Sequence, residues 1–260
     1  MLIDLTDKVA IVTGGGRGIG REIARTLAAE NVVTVVTDIR ADLLAEVTAE
    51  WEDKGWRGSQ LVCDVRKPDD CATVAETVER DFGRIDILVN NAGVASGAPV
   101  ADLKEEDWDR NLDINLKGTM LMCQAVIPAM KRQGAGRILN ASSFAAIIPS
   151  IGGAAYAASK AGVASMTRVL AGELGASGIT VNAYAPGMIP TEMNHFAERE
   201  AEVQERLLDT LSLRRWGDPK DVANLICFLA SDQAEYITGA LIDVSGGKFA
   251  TQMPWMAYRG

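Results

Sequence analysis

The sequence predicts an α/β protein: a doubly wound parallel sheet of about seven strands, with helices on both faces and three layers in all. Three observations carry that expectation. Short apolar, β-branched runs recur along the chain, stretches of helical length separate them, and the first run gives way at once to a glycine-rich turn that opens a helix. Near-continuous apolar character marks a strand buried on both faces, as in a parallel sheet covered by helices. Strands alternating with helices make right-handed crossovers, which keep the strands parallel.

In chain order, strands are expected at Val9–Val12, Val32–Val36, Ser59–Cys63, Ile85–Val89, Arg137–Asn140, Ile179–Asn182 and Ala240–Val244. Helices are expected at Ile19–Glu30, Ala41–Lys54, Pro68–Phe82, Asn115–Gln133, Tyr156–Ala176 and Pro219–Ser231. Pro68 and Pro219 stand near helix starts, where a missing N–H costs little. Residues 188–217 are the least regular stretch, with helical spacing over Glu198–Leu211, and read as a surface helix or as a lid over a site. No internal repeat, low-complexity run or linker breaks the pattern, so residues 1–260 are expected to form a single domain.

Composition removes several functions. A net charge of −9 argues against nucleic acid or an anionic membrane as partner, because phosphates need a basic footprint. The start carries acids at Asp4 and Asp7 where a signal peptide would be positive, and no apolar run approaches the roughly 18 residues of a membrane span. A soluble, cytoplasmic protein is expected. Cys63, Cys71, Cys123 and Cys227 form no C-x-x-C pair and read as buried thiols. A single histidine, His195, rules out a cluster of imidazole ligands, so no metal site is expected.

The first strand ends in Thr13-Gly14-Gly15-Gly16-Arg17-Gly18-Ile19-Gly20. Such a turn lets the backbone approach a pyrophosphate at the helix N-terminus, where free N–H groups favour anions. Glycines alone would be weak evidence; their place between first strand and first helix strengthens it. Asp38 ends the second strand, where a carboxylate accepts the ribose hydroxyls of NAD and repels the 2′-phosphate of NADP. Arg17 and Arg40 pull the other way, since either could meet that phosphate. The balance favours NAD.

The spacing Gly14-x-x-x-Gly18-x-Gly20 resembles the first motif of the short-chain dehydrogenase/reductase family. The likeness continues in order: Asn90-Asn91-Ala92-Gly93 follows the fourth strand, Tyr156-Ala157-Ala158-Ser159-Lys160 opens a long helix, and Pro186-Gly187 follows the sixth strand. The resemblance implies a Rossmann-like fold and four catalytic residues, Asn115, Ser143, Tyr156 and Lys160. Ser143 lies thirteen residues before Tyr156, with Ser142 as the fallback. Tyr156 and Lys160, four apart, share a helix face. A tyrosine is a poor base at neutral pH, with a reference pKa of about 10, and a nearby ammonium favours its phenolate. By the family pattern, Ser143 and Tyr156 hold the alcohol oxygen, and Tyr156 takes its proton as hydride passes to the nicotinamide. Lys160 also binds the nicotinamide ribose, and Asn115 helps hold a water behind Lys160. A plain helix cap or kink would suit Asn115 equally.

The same resemblance implies cofactor contacts at Gly14, Arg17, Gly18, Ile19, Gly20, Asp38, Asp64, Val65, Asn91, Ala92, Gly93, Tyr156, Lys160, Pro186, Gly187, Ile189 and Thr191. By the same likeness Asn90 and Ala92 line the loop below the cofactor, partly by stabilising the sheet; each contact has a structural alternative, and Asn91 fits one most readily. Pocket candidates are Ala145, Ile147, Gly153, Met188 and residues 193–195, small or apolar groups that suit a compact ketone as well as a sugar.

The resulting expectation is an NAD-dependent oxidoreductase acting between a secondary alcohol and a carbonyl on a small substrate such as a sugar, polyol or hydroxy acid. An NADPH-dependent 3-oxoacyl-thioester reductase is the alternative, since such reductases resemble the chain throughout. The terminal residues resemble bacterial glucose dehydrogenases loosely. A non-catalytic dinucleotide-binding protein would have lost one of the four catalytic residues, and an epimerase or dehydratase would be longer. The resemblance also implies a homotetramer joined through the helices at Asn115–Gln133 and Tyr156–Ala176. The apolar tail, Thr251–Gly260, is expected to pack on a neighbouring subunit.

Overall fold

The computed structural model describes residues 3–194 and 196–258. Among them, seven parallel strands form one sheet in the order β3-β2-β1-β4-β5-β6-β7. The strands are β1 (Val9–Thr13), β2 (Val33–Asp38), β3 (Gly58–Val62), β4 (Ile87–Asn90), β5 (Gly136–Ala141), β6 (Ile179–Pro186) and β7 (Leu241–Val244). The principal helices are α1 (Gly18–Ala29), α2 (Ala41–Lys54), α3 (Pro68–Phe82), α4 (Glu105–Asn111), α5 (Gly118–Gln133), α6 (Ala154–Leu174), α7 (Ala201–Leu208) and α8 (Pro219–Ala230).

The continuous apolar runs have a direct structural cause. Along β1, Ala10 and Val12 point into a core with α1, α2 and α8, while Val9 and Ile11 point into a second core with α3, α5 and α6. Alternate side chains of a strand meet opposite faces, so a sheet clad on both sides has no polar face. In α1 the buried residues Gly20, Ile23, Ala24, Leu27 and Ala28 follow helical spacing onto the first core. Asp218 begins α8 with a reciprocal capping box to Asp221.

Element ends differ from the expectation where side chains override pattern. Ile85 and Asp86 precede β4, because the Asp86 carboxylate accepts the Val9 N–H at 2.8 Å and also binds Arg84. The helix expected from Asn115 begins at Glu105 as α4, then widens into a π-type turn over Leu112–Lys117 before α5. Helical structure expected over Glu198–Leu211 is confined to a 3₁₀ turn, Phe196–Glu198, and α7. The tail lies against its own chain: Tyr258 Oη donates to the Ser212 carbonyl at 2.6 Å, and Pro254 is buried. Met253 and Met256 stay exposed, while Arg259 and Gly260 lie outside the described residues, as does His195. All four cysteines are buried and free. Among the described residues, no helix is long and apolar enough to cross a membrane.

Candidate active site

The strand order reverses between β1 and β4, and ligands of open α/β sheets bind outside the carboxyl ends of strands at such a point. A cavity of about 850 Å³ lies there, walled by the turns after β1, β2, β3, β4, β5 and β6.

The glycine turn is built by close approaches. A Cβ on Gly14 would stand 2.7 Å from the Ala92 Cα, and one on Gly20 would stand 2.3 Å from the Gly14 carbonyl oxygen. Gly20 therefore lies beneath the turn and packs it, whereas Gly18 meets nothing nearer than Thr191 at 3.7 Å and leaves room in the cleft. Gly14 and Gly18 also have φ values of +62° and +57°, which favour glycine. Asn91 braces the turn: its Nδ2 donates to the carbonyls of Thr13 and Gly14 at 3.3 and 3.2 Å. Helix α1 has neither a side-chain cap nor an acid in its first turn, so its N–H groups and positive dipole end remain available to an anion. This cradle fits a dinucleotide pyrophosphate, and Gly14, Gly18, Ile19 and Thr191 would hold it.

Carboxylates govern the other end of the cleft. Asp38 Oδ2 accepts the Gly16 N–H at 3.1 Å, and its Oδ1 accepts the Arg40 N–H at 3.1 Å. Arg40 pairs with Asp42, and Arg17 reaches Glu192 across the cleft at 2.6 Å. Asp64 binds the Arg66 guanidinium at 2.6 and 2.9 Å, and this bond holds the carboxyl below its ordinary range.

The reacting groups stand between these walls. Ser143 follows β5; its Oγ accepts the Ala145 N–H at 3.1 Å, and its hydroxyl lies beside the Tyr156 phenol in the cavity wall. Ser142, the fallback, instead donates to the Lys160 carbonyl at 2.9 Å and so serves to anchor α6. Tyr156 lies in the first turn of α6, and Lys160 one turn later. Lys160 Nζ donates to the Ala141 carbonyl at 2.9 Å and sits 5.7 Å from the centre of the Tyr156 ring. Burial pushes the Lys160 ammonium down to about 8. Burial also pushes the Tyr156 phenol up, and the neighbouring Ser143 hydroxyl pulls it partway back.

Asn115, in the π-type turn, is fully buried behind the wall. Its amide exchanges two hydrogen bonds with the Val94 backbone, at 2.8 and 2.9 Å, and donates to Ser159 Oγ at 3.0 Å. A Cβ on Gly93 would stand 3.1 Å from Asn115 Oδ1 and 3.4 Å from Lys160 Nζ, so this glycine lets the two side chains meet the loop.

Apart from Gly20 and Asn115, every residue expected from the sequence to serve catalysis or the cofactor lines the cavity. Among the pocket candidates, Ala145, Gly153, Met193 and Asn194 line it, whereas Ile147 is exposed outside the wall and Met188 is buried beneath it. Sequence reasoning missed Phe144, Ser150, Tyr184, Glu192 and Phe196. Phe196 stacks on Trp216 at 5.8 Å, a contact between distant ends of the irregular segment that no local pattern announces.

Residues 14–248 match the family model described as enoyl-(acyl carrier protein) reductase. The chain is 40% identical over 243 residues to the 3-oxoacyl-[acyl-carrier-protein] reductase of Thermotoga maritima, an alignment covering 94% of this chain and 98% of that one. A putative short-chain alcohol dehydrogenase from Sinorhizobium meliloti superposes with a TM-score of 0.91 at 38% identity, covering 96% of this chain and all of the other. A gluconate 5-dehydrogenase from Burkholderia cenocepacia, solved with NADP and tartrate, gives 0.92 at 31% identity, covering 96% and 98%. The chain belongs to the short-chain dehydrogenase/reductase family and is an oxidoreductase.

Proposed function

We propose that this oxidoreductase uses NAD(H) and interconverts a secondary alcohol and a ketone on a small substrate, with Tyr156 as general acid and base. The observation that carries the reading is the joining of Ser143, Tyr156 and Lys160 in one cavity with the uncapped end of α1. When bound, the dinucleotide supplies the hydride donor or acceptor. Ser143 and Tyr156 hold the substrate oxygen between them. In oxidation the phenolate takes the hydroxyl proton, and in reduction the phenol returns it. The Lys160 ammonium favours the phenolate by its charge, and its bond to the Ala141 carbonyl fixes its position. Asn115 fixes the Val94 loop behind Lys160, where the family pattern puts a water that carries protons.

Asp38 supports NAD over NADP, because its fixed carboxylate would face the extra phosphate. Asp64, Val65, Asn91, Ala92, Gly93, Pro186, Gly187 and Ile189 complete the proposed cofactor contacts. A second reading, an NADPH-dependent 3-oxoacyl-thioester reductase, has the likeness to the Thermotoga reductase in its favour. The NADP in the gluconate 5-dehydrogenase structure favours NADPH as well. We read the protein as a single-domain cytoplasmic homotetramer. Ala158, Ala161 and Val169 lie exposed along α6, available to a neighbouring subunit, as do Met253 and Met256 of the tail.

Replacing Tyr156 tests the chemistry. With Tyr156→Phe, turnover of secondary alcohols, polyols, sugars, ketones and 3-oxoacyl thioesters should fall by about 10²–10⁴-fold while dinucleotide binding persists. Turnover near the wild-type rate removes Tyr156 as acid and base.

A further inference from the structure

The cleft holds two arginines where an adenosine 2′-phosphate would need a cation, and both are engaged by carboxylates. Arg40 is neutralised within its own segment by Asp42, and it also feels Asp38 and Glu192. Arg17 is neutralised from the opposite wall: Glu192 belongs to the loop after β6, 175 positions along the chain, and meets the guanidinium at 2.6 Å. The loop that presents Glu192 is ordered by Asn194. Its Nδ2 donates to the Ile189 carbonyl at 2.8 Å and to Thr191 Oγ1 at 3.2 Å, and its Oδ1 accepts the Thr191 N–H at 3.3 Å. The pair thus joins the phosphate turn to the segment beside the reacting groups.

We propose that Glu192 is a nucleotide-selectivity residue that acts through Arg17, withholding that guanidinium from a 2′-phosphate and adding a carboxylate of its own to the cluster. The inference rests on the NAD reading above and extends it across the cleft. Two cations here face three carboxylates, Asp38, Asp42 and Glu192. A phosphomonoester carries about −1.5 to −2 charges at neutral pH and is best held by a free, bidentate guanidinium. Asp38 sets the larger part of the preference, since it is fixed by two backbone N–H groups. Glu192 contributes the smaller part: the side chains of Arg17 and Glu192 are 47% and 69% exposed, and exposed pairs are weak.

The test is a fluorescence titration with NADH and NADPH of the wild type, Glu192→Gln, Arg17→Gln and the double variant, with thermal melts confirming that each is folded. Glu192→Gln should tighten NADPH by about twofold to fivefold and shift NADH by less. In the Arg17→Gln background the gain should vanish, and added salt should shrink it. An unmoved NADPH affinity, an equal change for both nucleotides, or a gain that survives without Arg17 overturns the proposal. A wild type that prefers NADPH contradicts the NAD reading instead; the Glu192–Arg17 cycle, read on NADPH alone, still decides the role of Glu192.

Discussion

Lys160 is the residue at which burial and chemistry conflict most directly. Its ammonium sits in the core with a carbonyl as partner, and burial lowers its pKa from 10.5 to about 8. The folded state therefore binds this proton less tightly than the unfolded chain does. The cost is full below pH 8 and is relieved as pH rises from about 8 to 10.5, so stability attributable to this residue increases with pH in that window. The shift corresponds to about 3 kcal/mol. Chemical denaturation of the dinucleotide-free protein should show the wild type gaining about that much on Lys160→Met between pH 8 and 10.5; parallel pH curves would sink the idea. Tyr156 and Lys160 were legible in the sequence because four residues on a helix always share a face. The pairing of Arg17 with Glu192 was not, since it depends on how the loop after β6 folds back over the cleft.

Among elements, α1 and its turn show how packing outweighs propensity. Alanine is the better helix former by about 1 kcal/mol. At Gly20, however, a methyl would press on the Gly14 carbonyl and on Asn91 Nδ2 at 2.3 and 2.4 Å. Both belong to the braced turn, so relief requires the turn to move. Gly20→Ala should lower stability by about 1–2 kcal/mol in a denaturant titration and weaken dinucleotide binding, because overpacking commonly costs about 1–3 kcal/mol. Unchanged stability and binding would mean that the turn yields freely. The glycine pattern announced a close approach but not which glycine faces the cleft. Gly18 does, and Gly20 supports it from below. Helix α4 escaped notice because its residues, Glu105-Glu106-Asp107-Trp108-Asp109-Arg110-Asn111, bury little beyond Asn111 and show no apolar stripe. The π-type turn was also invisible to spacing arguments. It puts Asn115 within reach of the Val94 backbone, and such turns often mark functional sites.

At the scale of the molecule, the parallel sheet and its two cores follow from strands apolar on both faces, which is why the architecture could be read from the chain alone. The irregular segment from Met188 to Gly217 resisted, because its order comes from contacts between distant positions: Phe196 on Trp216, Lys248 on Thr210 at 2.6 Å, and Tyr258 on Ser212. The tail is part of that order through Tyr258, which bonds the Ser212 carbonyl and lies under the Arg214 guanidinium. The strand-order reversal between β1 and β4 positions the cleft, and its proposed occupant is a nicotinamide dinucleotide without the extra phosphate. The most direct measurement is a fluorescence titration of the wild-type protein with NADH and NADPH under identical salt. The expected result is saturable binding of both, with NADH tighter by about tenfold, a difference of about 1.4 kcal/mol. Equal or tighter binding of NADPH would contradict the role given to Asp38, and binding of neither would contradict the cleft itself.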